Sequence, residues 1–182
     1  MPVKLSHSIK GFTLIEILLA VSIMGILAGV LLTVINPSQL QGKARDAKRA
    51  SSLKSIQTAL ELYRTNNSGS FPSSGGSWIT VTGSDSLSTA LSPASGLKYL
   101  QYMPQDPSYS SSSANSPCNY TNGANPHYRF SYNSNGSYFV LTAQMESVSS
   151  TSGGKCISLS NWNSYAGTCD NTHCYGLESR GN

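Results

Sequence analysis

Residues 10–35 read KGFTLIEILLAVSIMGILAGVLLTVI, and this stretch decides the architecture of the chain. It carries one acidic residue, Glu16, and no charged residue after it. About 20 consecutive apolar residues cover the hydrocarbon core of a bilayer, so residues 12–35 predict a membrane-spanning helix. A carboxylate inside such a helix costs about 2.5–3.5 kcal/mol on insertion scales. Glu16 is therefore a candidate functional residue.

The flanks of the apolar stretch predict its orientation. Lys4 and Lys10 put positive charge before it, which favours a cytoplasmic N-terminus and places the chain after Ile35 outside the cytoplasm. Within the stretch, Gly25 and Gly29 are small residues four positions apart. This spacing lets membrane helices approach one another closely.

Two simpler interpretations explain part of this pattern. A secretory signal peptide has the same positive start and could be cleaved near Ala28. Its apolar region is usually about 7–15 residues long, however, and a glutamate is out of place in it. A plain single-pass anchor accounts for the length but leaves Glu16 and the Gly11–Phe12 junction unexplained.

The residues KGFTLIE and the apolar run behind them resemble the N-terminus of class III-signal prepilins, the precursors of type IV pilins and pseudopilins. The resemblance implies cleavage by prepilin peptidase between Gly11 and Phe12, N-methylation of Phe12, and assembly into a helical filament. Residues 1–11 would then be a leader peptide. Glu16 lies about one helical turn after Phe12. We expect it to pair with the Phe12 amine of a neighbouring subunit, because a buried ion pair is costly to break and would fix the register.

Residues 36–66 predict an amphipathic stem helix. One set of apolar residues recurs at helical spacing: Leu53, Ile56, Leu60 and Tyr63. One face of the stem should therefore pack on a globular head. Pro37 either breaks a longer helix or starts a second helix at its first position. The sequence leaves both alternatives open.

Positive charge is concentrated on this stem. Its basic residues are Lys43, Arg45, Lys48, Arg49, Lys54 and Arg64, and its acidic residues are Asp46 and Glu61. We expect a solvated helix whose cations lie near lipid headgroups or subunit contacts. DNA binding is the competing interpretation. It is disfavoured because no interleaved aromatic residues and no groove-reading motif accompany the charges.

Residues 67–182 are rich in Ser, Gly, Asn, Thr and Tyr, and they predict a globular head of one small domain. Alternating residues at 128–132 and 138–143 flank an Asn-Ser-Asn-Gly turn, which predicts a β-hairpin. A short helix is expected within residues 84–91, behind capping residues, and a further strand at residues 155–159. The predicted fold class is α+β, with a long N-terminal helix packed on a small antiparallel sheet.

A second resemblance lies in the head. Residues 99–107 end in Pro-Gln-Asp-Pro and resemble the Pro-x-Asp-Pro loop of major pseudopilins, and residues 69–72 resemble the segment that follows their stem. Some of those relatives hold calcium in a later loop. The acidic residues of this head are scattered and lack the dense oxygen-ligand spacing that calcium favours. We predict no metal and no cofactor.

All four cysteines lie in the head, at Cys118, Cys156, Cys169 and Cys174. Outside the cytoplasm they are expected to form two disulfide bridges. We prefer Cys169–Cys174 with Cys118–Cys156, but three connectivities exist and the sequence does not choose. Zinc binding by Cys169, His173 and Cys174 is disfavoured by their spacing. His127 and His173 lack a partner pattern for nucleophilic catalysis, so we predict that the protein is not an enzyme.

The sequence favours a structural subunit of a type IV pilus used for adhesion, motility or uptake. The alternatives are a pseudopilin of a type II secretion system and a competence pseudopilin for DNA uptake. The resemblance implies a single-pass anchor in the cytoplasmic membrane before assembly and a cell-surface pilus afterwards. Expected partners are further copies of the chain, minor pilins, prepilin peptidase, membrane lipid, and an inner-membrane platform with its ATPase. Nucleic acid is a disfavoured partner.

Overall fold

The computed structural model describes residues 11–34, 36–93, 96, 98–109, 128–147, 159–160 and 173–179. The chain divides into two units, residues 1–40 and residues 41–182. The first unit contains the predicted membrane helix. The second contains most of the stem and the head.

The main element of the first unit is helix α1, Leu14–Val34. Thr13 caps its first turn: Thr13 Oγ1 accepts a hydrogen bond from Glu16 N at 3.3 Å, and the Thr13 carbonyl accepts one from Ile17 N at 3.3 Å. The segment Leu14–Leu31 has a mean hydropathy of 2.5 and is long enough to cross a membrane. The described side chains of α1 are exposed and mostly apolar on every side, which is typical of a helix that needs apolar surroundings.

The second helix, α2, begins at Pro37 and ends at Asn66. Asn36 caps it, because its Oδ1 accepts hydrogen bonds from Ser38 N at 3.2 Å and from Ser38 Oγ at 2.7 Å. Proline suits the first position of a helix, where an N–H would have no intrahelical partner. Of the two alternatives for Pro37, the structure therefore shows the start of a new helix.

The second unit contains an antiparallel sheet in the order β1-β2-β3-β4. Its strands are β1 (Ile79–Thr80), β2 (Phe130–Ser134), β3 (Phe139–Gln144) and β4 (Cys174–Glu178). Strands β2 and β3 form the predicted hairpin, in which Phe130 lies opposite Ala143. Gly136 in the turn has a φ of +94°, a left-handed conformation that glycine adopts without steric cost.

The hydrophobic core lies between α2 and one face of this sheet. The helix contributes Leu53, Ile56, Ala59 and Leu60, and the strands contribute Phe130, Tyr132, Phe139, Leu141 and Ala143. The apolar face predicted for the stem is therefore buried, with Tyr63 partly buried at its end. Helices packed on a small antiparallel sheet confirm the predicted α+β class.

The short helix expected within residues 84–91 is also present, as α3, Ser86–Leu91. Asp85 is its N-cap, and its carboxylate accepts hydrogen bonds from Ser88 N at 3.0 Å and Thr82 N at 2.7 Å. Burial alone would raise the pKa of Asp85, but the hydrogen bonds from Ser88 and Thr82 outweigh it and lower that pKa. The strand expected at residues 155–159 lies outside the described residues, apart from Leu159, which belongs to no strand.

Candidate functional site

The predicted processing and assembly residues lie at the start of α1. Gly11 and Phe12 precede the helix, and the Phe12 side chain is 78% exposed. Glu16 lies in the first helical turn, one turn beyond Phe12, and is exposed. A carboxylate there is favoured by the partial positive charge of the helix N-terminus. Cleavage before Phe12 and the role of Glu16 stay predictions.

The described surface of α1 is mostly apolar and exposed. Large side chains such as Leu18, Val21 and Ile26 are more than half exposed. A Cβ atom added at Gly25 or Gly29 would meet no atom within 4 Å, so another helix can approach there closely. A large exposed apolar surface of this kind marks a contact with a membrane or with another protein.

A second site is a cluster of five charged residues beside α2, called here the Arg49 cluster: Arg45, Asp46, Arg49, Asp106 and Glu146. Arg49 is its centre and its side chain is fully buried. Its Nε and Nη2 donate to the two carboxylate oxygens of Asp106, at 2.8 and 3.0 Å. Its Nη1 donates to Asp46 and to Glu146, both at 2.8 Å.

The rest of the cluster joins α2 to the end of β3. Arg45 Nε donates to Glu146 Oε1 at 2.6 Å, and Arg45 Nη2 donates to Glu146 Oε2. The hydrogen bond from Arg45 lowers the pKa of Glu146, and the bond from Arg49 adds to this effect. The Asp46 carboxylate accepts hydrogen bonds from the backbone N of Glu146 and of Ser147, each at 2.9 Å.

Asp106 brings the Pro-x-Asp-Pro segment into this cluster. Its side chain is fully buried against Arg49 and also accepts a hydrogen bond from Ser108 N at 2.8 Å. The neighbouring Gln105 donates from Nε2 to the Thr82 carbonyl at 2.7 Å. The ring centre of Tyr128 lies 4.4 Å from Arg49 Cζ, a cation–π contact. The segment is thus held against the stem by buried charge.

This cluster corrects one expectation from the sequence. Arg49 was expected on a solvated face of the stem, but it is the largest fully buried side chain of the described residues. The sequence does indicate that Arg49 is buried, because Arg49 precedes Leu53 by four residues and so continues the buried face of Leu53, Ile56 and Leu60. Arg45 is also turned towards an acidic partner, whereas Lys43, Lys48 and Lys54 are exposed as expected.

A groove of about 580 Å³ lies between α2 and the segment before Asp106. It is lined by Lys48, Ser51, Ser52, Ser55, Tyr102, Met103, Pro104 and Gln105. This set contains neither a carboxylate nor a histidine that could act with a nucleophile. That the protein is not an enzyme stays a prediction.

Of the predicted disulfide residues, Cys174 lies within the described residues. It is buried in β4 opposite Gln144 and is disulfide-bonded. Its sulfur is therefore not a free thiolate for zinc. Cys118, Cys156 and Cys169 lie outside the described residues, and so does His127, so the connectivity stays a prediction. Within the described ranges there is no group of three His, Cys, Asp or Glu residues arranged to hold a metal ion.

An apolar N-terminal helix with a glutamate in its first turn, followed by a stem helix packed on a small antiparallel sheet, is the arrangement expected of a pilin-type subunit. In agreement with this class, the family described as "Prokaryotic N-terminal methylation motif" matches residues 6–32. This match covers the predicted cleavage junction and most of α1.

Two relatives extend the similarity beyond that motif. The type II secretion system core protein G of Klebsiella michiganensis is 35% identical over 109 residues, which is 56% of this chain and 69% of the relative. The protein of the same name from Pectobacterium carotovorum subsp. carotovorum is 34% identical over 106 residues, which is 54% of this chain and 61% of the relative. No solved structure matches the chain significantly. The chain belongs to the type IV pilin and pseudopilin family.

Proposed function

We propose that this protein is a pseudopilin of a type II secretion system. One observation carries the proposal: the similarity to core protein G runs over 109 residues, far beyond the methylation motif at residues 6–32. The similarity therefore includes residues outside the anchor. In this proposal the subunit polymerises into a short filament that moves exoproteins out of the cell, and it catalyses no reaction.

The contacts of the Arg49 cluster also support the proposal. The segment resembling the Pro-x-Asp-Pro loop of major pseudopilins is fixed to the stem through the buried pair of Asp106 with Arg49. A loop held by a bidentate, fully buried ion pair keeps one conformation. A fixed loop beside the stem suits a subunit that packs repeatedly against copies of itself.

Assembly would follow from the junction at the start of α1. Cleavage by prepilin peptidase after Gly11 would give Phe12 a free cationic amine. Glu16 of an incoming subunit would pair with the Phe12 amine of its neighbour, and both charges would leave lipid in the same step. In an apolar surround an unpaired carboxylate is strongly disfavoured, so this pairing selects one axial register. The platform and ATPase that the family resemblance implies would drive extraction from the membrane.

The type IV pilus that the sequence favoured is the second candidate. Membership of the pilin and pseudopilin family is compatible with it. The four head cysteines, which include the disulfide-bonded Cys174, suit a head that is exposed on the cell surface. The named relatives favour the secretion pseudopilus instead. Anchoring by α1 before assembly is common to both candidates.

A gene deletion separates these candidates. We expect the deletion strain to retain exoproteins in its envelope, and we expect the wild-type gene to restore their release. Complementation with Glu16→Val should fail, whereas Ile17→Val, the matched change one residue away, should restore secretion. Normal secretion in the deletion strain, together with a loss of long surface filaments in electron micrographs, would overturn the secretion assignment and support the pilus.

A further inference from the structure

The four lysines of the second unit that the structure describes have no acidic partner among the described residues. Exposed lysines lie at Lys43, Lys48, Lys54 and Lys98. The described carboxylates of Asp46, Asp85, Asp106, Glu146 and Glu178 all accept hydrogen bonds within the chain. Internal contacts thus use the negative charge of these five residues, whereas Glu61 Oε1 is buried without a hydrogen-bond partner in the described part of the chain. The positive charge of the described lysines stays on the surface. That surface fits an anionic partner.

Two of these lysines border one stripe of α2. Successive helical residues are about 100° apart, so Ala47 and Ala44 lie between Lys43 and Lys48 around the helix. All four side chains are exposed. A lysine on each side of this small apolar stripe suits a helix that lies at a membrane interface. The long lysine stems lie along the apolar zone while their ammonium groups reach the headgroups.

Chain connectivity keeps this face near the membrane that would hold α1. Helix α1 ends at Val34 and α2 begins at Pro37, so two residues, or three Cα-to-Cα steps, join them. Lys43 lies six residues into α2, which is about 9 Å along the helix. With about 10 Å for the extended joint, the path from Val34 to Lys43 cannot exceed about 20 Å. Lys43 is therefore tied by the chain to within about 20 Å of the end of α1, and a bilayer that holds α1 is within reach of it.

We propose that the face formed by Lys43, Ala44, Ala47 and Lys48 binds anionic lipid headgroups of the membrane in which α1 is inserted. The contact holds the stem at the bilayer surface before assembly and is given up when the subunit joins the filament. This inference rests on the membrane-anchored state in the proposed function. It adds the lipid class and the residues that recognise it.

Lysine acetylation of the full chain tests the contact. The protein is reconstituted in vesicles of phosphatidylcholine alone or with about a third phosphatidylglycerol, and the modification rate of each lysine is read by mass spectrometry. We expect anionic vesicles to slow acetylation of Lys43 and Lys48 about fivefold each relative to Lys98, because about 1 kcal/mol per lysine is typical at an anionic surface. High salt should remove the difference.

A charge placed in the stripe provides the variant test. Ala44→Glu should bring the anionic-to-neutral ratio of the Lys43 and Lys48 rates close to one. Thr58→Glu is the matched control, since it adds the same charge to an exposed position about 20 Å further along α2. It should leave the protection in place.

Vesicle flotation distinguishes the membrane-anchored state from the lipid contact of Lys43 and Lys48. A chain that does not float with vesicles would overturn both the anchored state and the lipid contact. A chain that floats while its lysines are acetylated equally in both vesicles would overturn the lipid contact alone. Protection of Lys43 and Lys48 by an added DNA duplex but not by anionic vesicles would overturn it in favour of nucleic acid.

Discussion

Replacing Arg49 by methionine is expected to destabilise the head strongly. Methionine fills much of the arginine volume, so the change mainly removes the charge. Asp106 is left with a fully buried carboxylate and without its bidentate partner. Removing one member of a buried pair typically costs about 3–5 kcal/mol. Domains unfold with about 5–15 kcal/mol, so this loss is a large fraction of the total.

The assay is thermal unfolding of the full chain in detergent micelles, followed by near-ultraviolet circular dichroism. At about 3–4 °C per kcal/mol for a domain of this size, Arg49→Met should lower the head's Tm by about 10–20 °C. Lys48→Met is the matched control, because Lys48 is adjacent and exposed and has no ion pair among the described residues. It should change stability by no more than about 0.5 kcal/mol.

A double variant separates lost charge pairing from lost packing. Asp106→Leu added to Arg49→Met removes the orphaned carboxylate, and replacing both partners of a buried pair by apolar residues is often close to neutral. We expect the double variant to recover at least half of the lost Tm. Equal Tm values for Arg49→Met and Lys48→Met, or a double variant less stable than Arg49→Met alone, would refute the role assigned to the buried pair.

Three further predictions concern Glu146, Asp85 and Glu16. The pKa of Glu146 is lowered in the folded state. The contribution of Glu146 to stability is therefore full above its unfolded pKa of 4.5 and is lost as the pH falls through its folded pKa. In chemical denaturation between about pH 3 and 6, the stability of Glu146→Gln should depend less on pH than that of the wild type. Asp85→Ala removes the N-cap of α3 and should cost about 1 kcal/mol in the same assay, whereas Ser84→Ala should cost less. Glu16→Val protein should be cleaved normally but should form few filaments by electron microscopy, and abundant filaments would exclude the predicted pairing with the Phe12 amine.

The elements that the sequence predicts well are those with a strong periodic pattern. The apolar run of α1, the buried face of α2 and the alternation in β2 and β3 each predict the element. In β2 and β3 the side chains of both faces are buried, which alternation alone does not predict. Strand β4 lacks such a pattern, because it reads Cys-Tyr-Gly-Leu-Glu with glycine at its centre. Gly176 is there for packing: a Cβ atom would lie 2.6 Å from Leu159 Cδ1. Strand propensities do not predict a strand in which glycine is required by such a close contact with a neighbouring side chain.

The Arg49 cluster shows a different limit. An arginine on a basic helix is usually solvated, and its burial here depends on Asp106 and Glu146, which lie 57 and 97 residues away in the chain. Helical spacing alone places Arg49 on the buried face. Only the tertiary structure brings together the carboxylates that compensate for the desolvation of its charge. The predicted assembly residues present the opposite case. Gly11, Phe12 and Glu16 are recognisable from the motif, but the pairing predicted for Glu16 involves a second subunit.

Mass spectrometry of the N-terminal peptide from assembled filaments tests the central claim most directly. Trypsin should release a peptide that runs from Phe12 to Lys43, because no lysine or arginine lies between them. The account predicts that this peptide begins at Phe12 and carries a methyl group on its amine. A filament subunit that begins at Met1, or a mature protein that begins beyond Ala28, would contradict it.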